Sequence, residues 1–192
     1  MPFDARSDDA DDLLLRRFAS GDAAAARALT LRLTPRVFAH ALRLLGDRAE
    51  AEDVAQEALL RLWRIAPDWR EGEAKVTTWL YRVTANLATD RLRKRRGVAL
   101  DSVPEPEDGA PSVMQGMQDK TRVQALQTAL DDLPERQRQA VVLRHIEELG
   151  NPEIAQVMDI SAEAVESLIA RGKRALTAAL TGRRAELGYR DE

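Results

Sequence analysis

Five cations fall within six consecutive positions at Arg91-Leu92-Arg93-Lys94-Arg95-Arg96, a density suited to neutralising a phosphate backbone. Cations at a helix C-terminus contribute about 0.3–1 kcal/mol through the helix dipole, a role that does not require five of them. Upstream, Val76, Leu80, Val83 and Leu87 recur at helical spacing, with Trp79 beside the stripe. That stripe leaves Arg82, Asn86, Asp90, Arg93 and Lys94 on the outer side, where Asn86 suits a base edge or a phosphate. A second basic group, Arg171, Lys173 and Arg174, suits phosphate or guanine, and Glu163 or Glu166 could accept from cytosine N4. A third group is of another kind: Asp53, Gln56 and Glu57 project with Leu60 from one helix face. An exposed leucine ringed by carboxylates and an amide has the make-up of a protein-docking patch, although a lone exposed leucine on a solvated face is also common.

Catalytic chemistry finds little purchase. His40 and His145 lie in separate helical units, without metal-ligand spacing, and the chain has no cysteine. There is no Gly-rich phosphate loop and no serine-nucleophile motif. No metal and no cofactor is implied, and the protein is not expected to be an enzyme. The N-terminus lacks the basic and apolar regions of a signal peptide, and no run approaches the roughly 20 apolar residues of a membrane span. A cytoplasmic protein without membrane insertion is expected.

The elements that must position these groups read as all-α. Hydrophobic residues make up 44% and aromatics only 4% of the 192 residues, a mixture that favours helices over strands. The net charge of −3 hides a segregation, with acidic residues crowding 4–12 and 50–57 and basic ones 91–96 and 171–184. The pattern predicts a first helix over 12–33, a second starting at Pro35 and ending near Gly46-Asp47, and a third from about Arg48 to Pro67. A polar loop over 68–75 leads to the fourth helix, which carries the basic run and stops at Gly97. Residues 98–119, with Pro104, Pro106, Gly109, Pro111 and several carboxylates, read as a flexible acidic linker. The carboxylates suit either plain solubilisation or mimicry of nucleic acid in a positive channel. From Lys120 a second helical unit places Val123, Leu126, Leu130 and Leu133 in register, and another helix runs from Pro134 to Leu149-Gly150.

There follows the spacing of a helix-turn-helix. Asn151 reads as an N-cap before Pro152, the short helix ends at Met158, Asp159-Ile160 turns, and Ser161 caps the second helix. Ile154, Met158, Ile160, Val165 and Leu168 form the packing set, with small Ala155 where the helices approach. Asp159 stands where the left-handed conformation is needed. Its outward face would comprise Ala162, Glu163, Glu166, Ser167, Ala170, Arg171 and Arg174.

Two blocks now stand in order. The first is AEDVAQEALLRLW (51–63) followed by TWLYRVTANLATD (78–90), and the second is LPERQR (133–138) followed by the helix-turn-helix. Together they resemble regions 2 and 4 of extracytoplasmic-function sigma factors of the sigma-70 family, over about residues 11–180. The resemblance implies two small helical domains, sigma region 2 over 11–97 and sigma region 4 over 120–182, joined by the linker over 98–119. It implies an alternative sigma factor that binds core RNA polymerase, directs promoter-specific transcription initiation and is controlled by an anti-sigma factor. Asp53, Gln56, Glu57 and Leu60 would dock on the β′ clamp helices, and region 4 on the β flap. Thr78, Arg82, Asn86, Asp90, Arg93 and Lys94 would contact the minus-10 element, with the loop over 68–75 helping to capture unstacked bases. Ser161, Glu163, Glu166, Ser167, Arg171 and Arg174 would meet the minus-35 element of promoter DNA. Family members often carry Lys or Arg where this chain has Glu166 and Leu168. Leu168 meets the core requirement, so Glu166 is the chemically odd residue. Two other readings stay open: a sigma-like decoy that sequesters an anti-sigma factor, and a dimeric helix-turn-helix repressor, which would leave the first unit unexplained.

Overall fold

The computed structural model describes residues 5–70, 74–99 and 116–181, with side chains described for 10–70, 74–96 and 121–181. Every regular element among them is helical, as the composition predicts. Helices α1 (Ala5–Ala19), α2 (Ala23–Leu45), α3 (Arg48–Ile65) and α4 (Val76–Ala99) form the first unit. Helices α5 (Gly116–Asp131), α6 (Glu135–His145), α7 (Asn151–Met158) and α8 (Ala162–Thr181) form the second.

The first chain reversal differs from the predicted one. It falls at Ser20–Asp22 rather than before Pro35, because Gly21 takes φ +93° and Asp22 caps α2, its Oδ1 accepting from Ala24 and Ala25 N–H at 2.9 and 3.1 Å. Pro35 lies inside α2 with its ring exposed. The missing N–H is tolerated because Leu29, Leu33, Val37 and Ala41 bury one continuous face across it. The second reversal is as expected: Gly46 is the left-handed C-cap of α2, and Asp47 caps α3 through Glu50 N–H at 2.9 Å. Asp12 of α1 accepts from Val76 N–H at 3.0 Å and so caps α4 from 64 residues away.

Leu15, Leu29, Leu33, Val37, Leu62 and Leu80 make the core of the first unit. A second layer of small residues, Ala41, Ala51, Ala85 and Ala88 around Leu44 and Val54, lets α2, α3 and α4 approach closely. Helix α4 continues through Gly97 to Ala99 instead of stopping there, and α5 begins at Gly116, ahead of Lys120. Residues 100–115, most of the expected linker, and the loop tip 71–73 lie outside the described residues.

In the second unit α6 closes at His145, earlier than predicted, and a tight connection with Glu148 at φ +58° leads to α7. Gly150, not Asn151, is the N-cap of α7, its N–H bonded to Glu153 Oε2 at 3.0 Å. Val123, expected in the core register of α5, is 68% exposed, while Leu130 and Leu133 are buried against Val141 and Val142. The turn at Asp159 takes φ 53°, ψ 55°, and Ala164 N–H donates to Ser161 Oγ at 3.3 Å, so the turn and the cap of the second helix read from the sequence are realised. Val165 is fully buried and Leu168 packs on the same cluster.

Candidate polymerase and nucleic-acid interface

Helix α3 turns Val54, Ala55, Ala58, Leu59 and Leu62 inward, which leaves Asp53, Gln56 and Leu60 exposed and Glu57 half-buried. Leu60 is 49% exposed. The Arg61 guanidinium bonds Glu57 at 2.8 Å and holds its carboxyl below the ordinary value, Arg64 adding to the effect. Beside this patch runs a groove of about 420 Å³ whose other wall is α4, through Leu87, Asp90, Arg91 and Lys94.

That groove divides the residues predicted to read the minus-10 element. Asp90 and Lys94 line it together with Asp53 and Leu60. Arg82, Asn86 and Arg93 line a different cleft, of about 480 Å³, on another face of α4. Spacings of four and seven residues put 82, 86, 89 and 93 on one stripe, whereas 87, 90, 91 and 94 fall on the next. Thr78 joins neither; it is 4% exposed, inside the bundle. The basic run is divided as well. Arg91 pairs with Asp53 at 3.3 Å, and Arg95 bonds Glu50 at 2.8 Å and Asp47 at 3.2 Å, tying α4 to α3. Arg93 and Lys94 point outward.

At the start of α4, Trp79 meets Trp69 edge-on with ring centroids 6.0 Å apart. Both line a recess of about 160 Å³ with Ile65, Asp68, Arg70 and Ala74. Trp79 also packs against the core of the first unit.

On α8 the predicted outward residues Glu163, Glu166, Ser167, Arg171 and Arg174 are exposed, as is Ser161 at the cap. Glu163 turns back to the helix start, where the Ser161 hydroxyl and its own backbone N–H hold its carboxyl below the ordinary value. Arg171 folds onto Ser167 at 2.7 Å. Asn151, freed from capping, donates to Glu166 at 3.3 Å, so the residue that departs from the family pattern is steered by the first helix of the motif.

Comparison with known proteins agrees with this geometry. Residues 29–98 match the model of Sigma-70 region 2 and residues 123–176 that of Sigma-70, region 4. The chain is 34% identical over 145 residues to the ECF RNA polymerase sigma factor SigW of Bacillus subtilis, covering 70% of this chain and 77% of that protein. The chain belongs to the extracytoplasmic-function sigma factors. It is therefore an alternative sigma factor, a transcription initiation factor. Against SigE of Mycolicibacterium smegmatis identity is 35% over 165 residues, 82% of this chain and 63% of that protein, so the chain spans less than two thirds of that relative. Among solved structures, that of CnrH in complex with the cytosolic domain of CnrY matches at a TM-score of 0.67 and 28% identity, covering 90% of this chain and 98% of the matched chain.

Several residues carry weight here that sequence reasoning passed over. Asp11 is buried and bonds Arg32 at 2.7 Å. His40, noted only as an unsupported catalytic candidate, is fully buried beside Glu147 of the sigma region 4 unit. Arg138 is 8% exposed and donates to the backbone carbonyls of Leu44 and Asp131 at 2.6 and 2.7 Å. His145 is exposed. No group of His, Asp and Glu among the described residues could hold a metal ion, and none of the described helices is long and apolar enough to cross a membrane.

Proposed function

We propose that this sigma factor docks on core RNA polymerase through the α3 patch of Asp53, Gln56, Glu57 and Leu60, set against the β′ clamp helices, with the sigma region 4 unit on the β flap. Asp90 and Lys94 share the groove beside that patch and extend the docking surface. The stripe of Arg82, Asn86 and Arg93 meets the minus-10 element, and the recess beside Trp69 and Trp79 accepts an unstacked base, whose extrusion costs a few kcal/mol that pocket contacts offset. Helix α8 enters the major groove of the minus-35 element with Glu163, Glu166, Ser167, Arg171 and Arg174. Ser161 stands at the phosphate-facing helix start. The division at residues 11–97, 98–119 and 120–182 assigns these tasks to separate units. Phosphodiester chemistry belongs to the polymerase, an anti-sigma factor restrains the free protein, and the setting is the cytoplasm.

The observation that carries this reading is the two-faced character of α4, which presents one stripe to an acidic-apolar docking patch and another, rich in arginine, to a separate cleft. Run-off transcription with sigma-free core polymerase on a pool of promoter fragments tests it. Transcripts that appear only when the protein is added support it. A folded protein that neither binds core nor yields transcripts points to the decoy reading.

A further inference from the structure

The recognition helix carries anions where a groove walled by phosphates favours cations. Residues near the start of such a helix reach the base edges. On α8 the cations stand later, at Arg171, Lys173 and Arg174, while Glu163 and Glu166 occupy the first two turns. The two carboxylates are held differently. Glu163 turns back onto the Ser161 hydroxyl and its own backbone N–H, so it serves the helix start. Glu166 is exposed, and its Oε1 accepts from Asn151 Nδ2 at 3.3 Å, across 15 positions of sequence. Asn151 is not spent on capping, because Gly150 is the N-cap of α7 and its N–H is taken by Glu153 at 3.0 Å. Arg171 is engaged elsewhere, bonding Ser167 Oγ at 2.7 Å and the Ser167 carbonyl at 3.2 Å. With Oε1 of Glu166 fixed by the amide, Oε2 remains for a further donor.

A carboxylate only accepts hydrogen bonds. In the major groove guanine and thymine present acceptors, and adenine sets the acceptor N7 beside its N6 amino group. Cytosine offers the N4 amino group with no acceptor next to it. We propose that Glu166, positioned by Asn151, is the specificity-determining residue for one cytosine of the minus-35 element, its Oε2 accepting from the cytosine N4 amino group. The inference rests on the minus-35 assignment of α8 made above. Asn151 fixes the Glu166 side chain before DNA arrives, which lowers the entropy lost on binding. A negative charge brought close to phosphates penalises every site that lacks the cytosine, so the residue rejects as well as selects.

The test uses core polymerase with the full chain, on a promoter recovered from the run-off pool and randomised through its minus-35 stretch, with transcripts counted per sequence. The parent is expected to favour cytosine at one position by about tenfold. Glu166→Ala should abolish that preference and raise transcription from promoters without the cytosine, since an anion has left the groove. A loss of folding, by contrast, lowers all promoters alike, and circular dichroism of each variant reads it directly. Glu166→Gln should move the preference to adenine, whose N6 and N7 pair with an amide. Asn151→Ala should cut the cytosine preference about threefold and change nothing further in Glu166→Ala, a coupling that a merely structural residue does not show. Cytosine preference kept in full by Glu166→Ala overturns the proposal and leaves the minus-35 assignment of α8 standing. Preference kept in full by Asn151→Ala overturns the positioning role. Transcription by the parent that is indifferent to every position of the stretch overturns both the proposal and the assignment.

Discussion

Arg138 and Glu147 are charged side chains that the fold surrounds. Replacing Arg138 with Met keeps the aliphatic stem and strips hydrogen bonds from the carbonyls of Leu44 and Asp131, at about 1–3 kcal/mol for each group left buried and unpaired. Urea denaturation of Arg138→Met should show a loss of that size, whereas Arg174→Met, at an exposed position on α8, should show much less. Glu147 gives a pH dependence. Burial alone would raise its pKa, but the hydrogen bond and charge of His40, the Tyr81 hydroxyl and Arg43 outweigh burial and hold the carboxyl below its ordinary value of 4.5. A depressed folded-state pKa means the unfolded chain takes up the proton first as pH falls. The stabilisation from Glu147 is therefore complete above pH 4.5 and is lost as pH falls through the lower folded value. Glu147→Gln should flatten the acid limb of a stability–pH curve, and an unaltered acid limb would contradict this account. The Glu147 contacts were not legible in the sequence, because Arg43 and Glu147 lie 104 residues apart and neither stands in a motif. Asp53, Gln56, Glu57 and Leu60 were legible because one helix carries all four and its apolar period fixes which way they point.

Helices were readable where caps and period agree. Asp47, Gly46, Ser161 and Asp159 each sit where a side-chain acceptor or a left-handed backbone is required, and the residue types announce it. Pro35 misled for a physical reason: the packing of a long apolar face outweighs one missing hydrogen bond, and periodicity alone does not report that balance. The same holds for Gly97, which α4 passes through. Gly172 carried no signal, yet a Cβ there would lie 2.6 Å from Val141 Cγ2 and 3.2 Å from the Gln137 carbonyl, so α8 crosses α6 at close range. Gly172→Ala should push the helices apart and destabilise the second unit by about 1–3 kcal/mol, seen as a lowered denaturation midpoint. Asp159 works in the opposite sense. At φ 53° an aspartate bears strain that glycine lacks, so Asp159→Gly should raise stability by about 0.5–1 kcal/mol, measurable in the same titration and without effect on helicity.

Across the whole molecule, the assignment of functions depends on which stripe of α4 a cation occupies, and Arg93 and Lys94 are adjacent residues on different stripes. Sequence reading places them together, since a run of basic residues has no visible sidedness until the rotation of the helix is known. The structure separates their surroundings. Arg93 shares its cleft with Arg82 and Asn86, so Arg93→Ala should remove one phosphate contact. For a single strand, that lowers the slope of log K against log salt by about 0.7. Lys94 shares its groove with Asp53 and Leu60, so Lys94→Ala should leave the DNA salt slope nearly intact and weaken binding to core polymerase, as Leu60→Lys should more strongly. Fluorescence anisotropy at several salt concentrations gives the slope, and a titration of labelled protein with core gives the other affinity. If Lys94→Ala flattened the DNA slope as much as Arg93→Ala did, the two stripes would act as one surface. The groove beside Leu60 would then join the nucleic-acid path rather than the docking face.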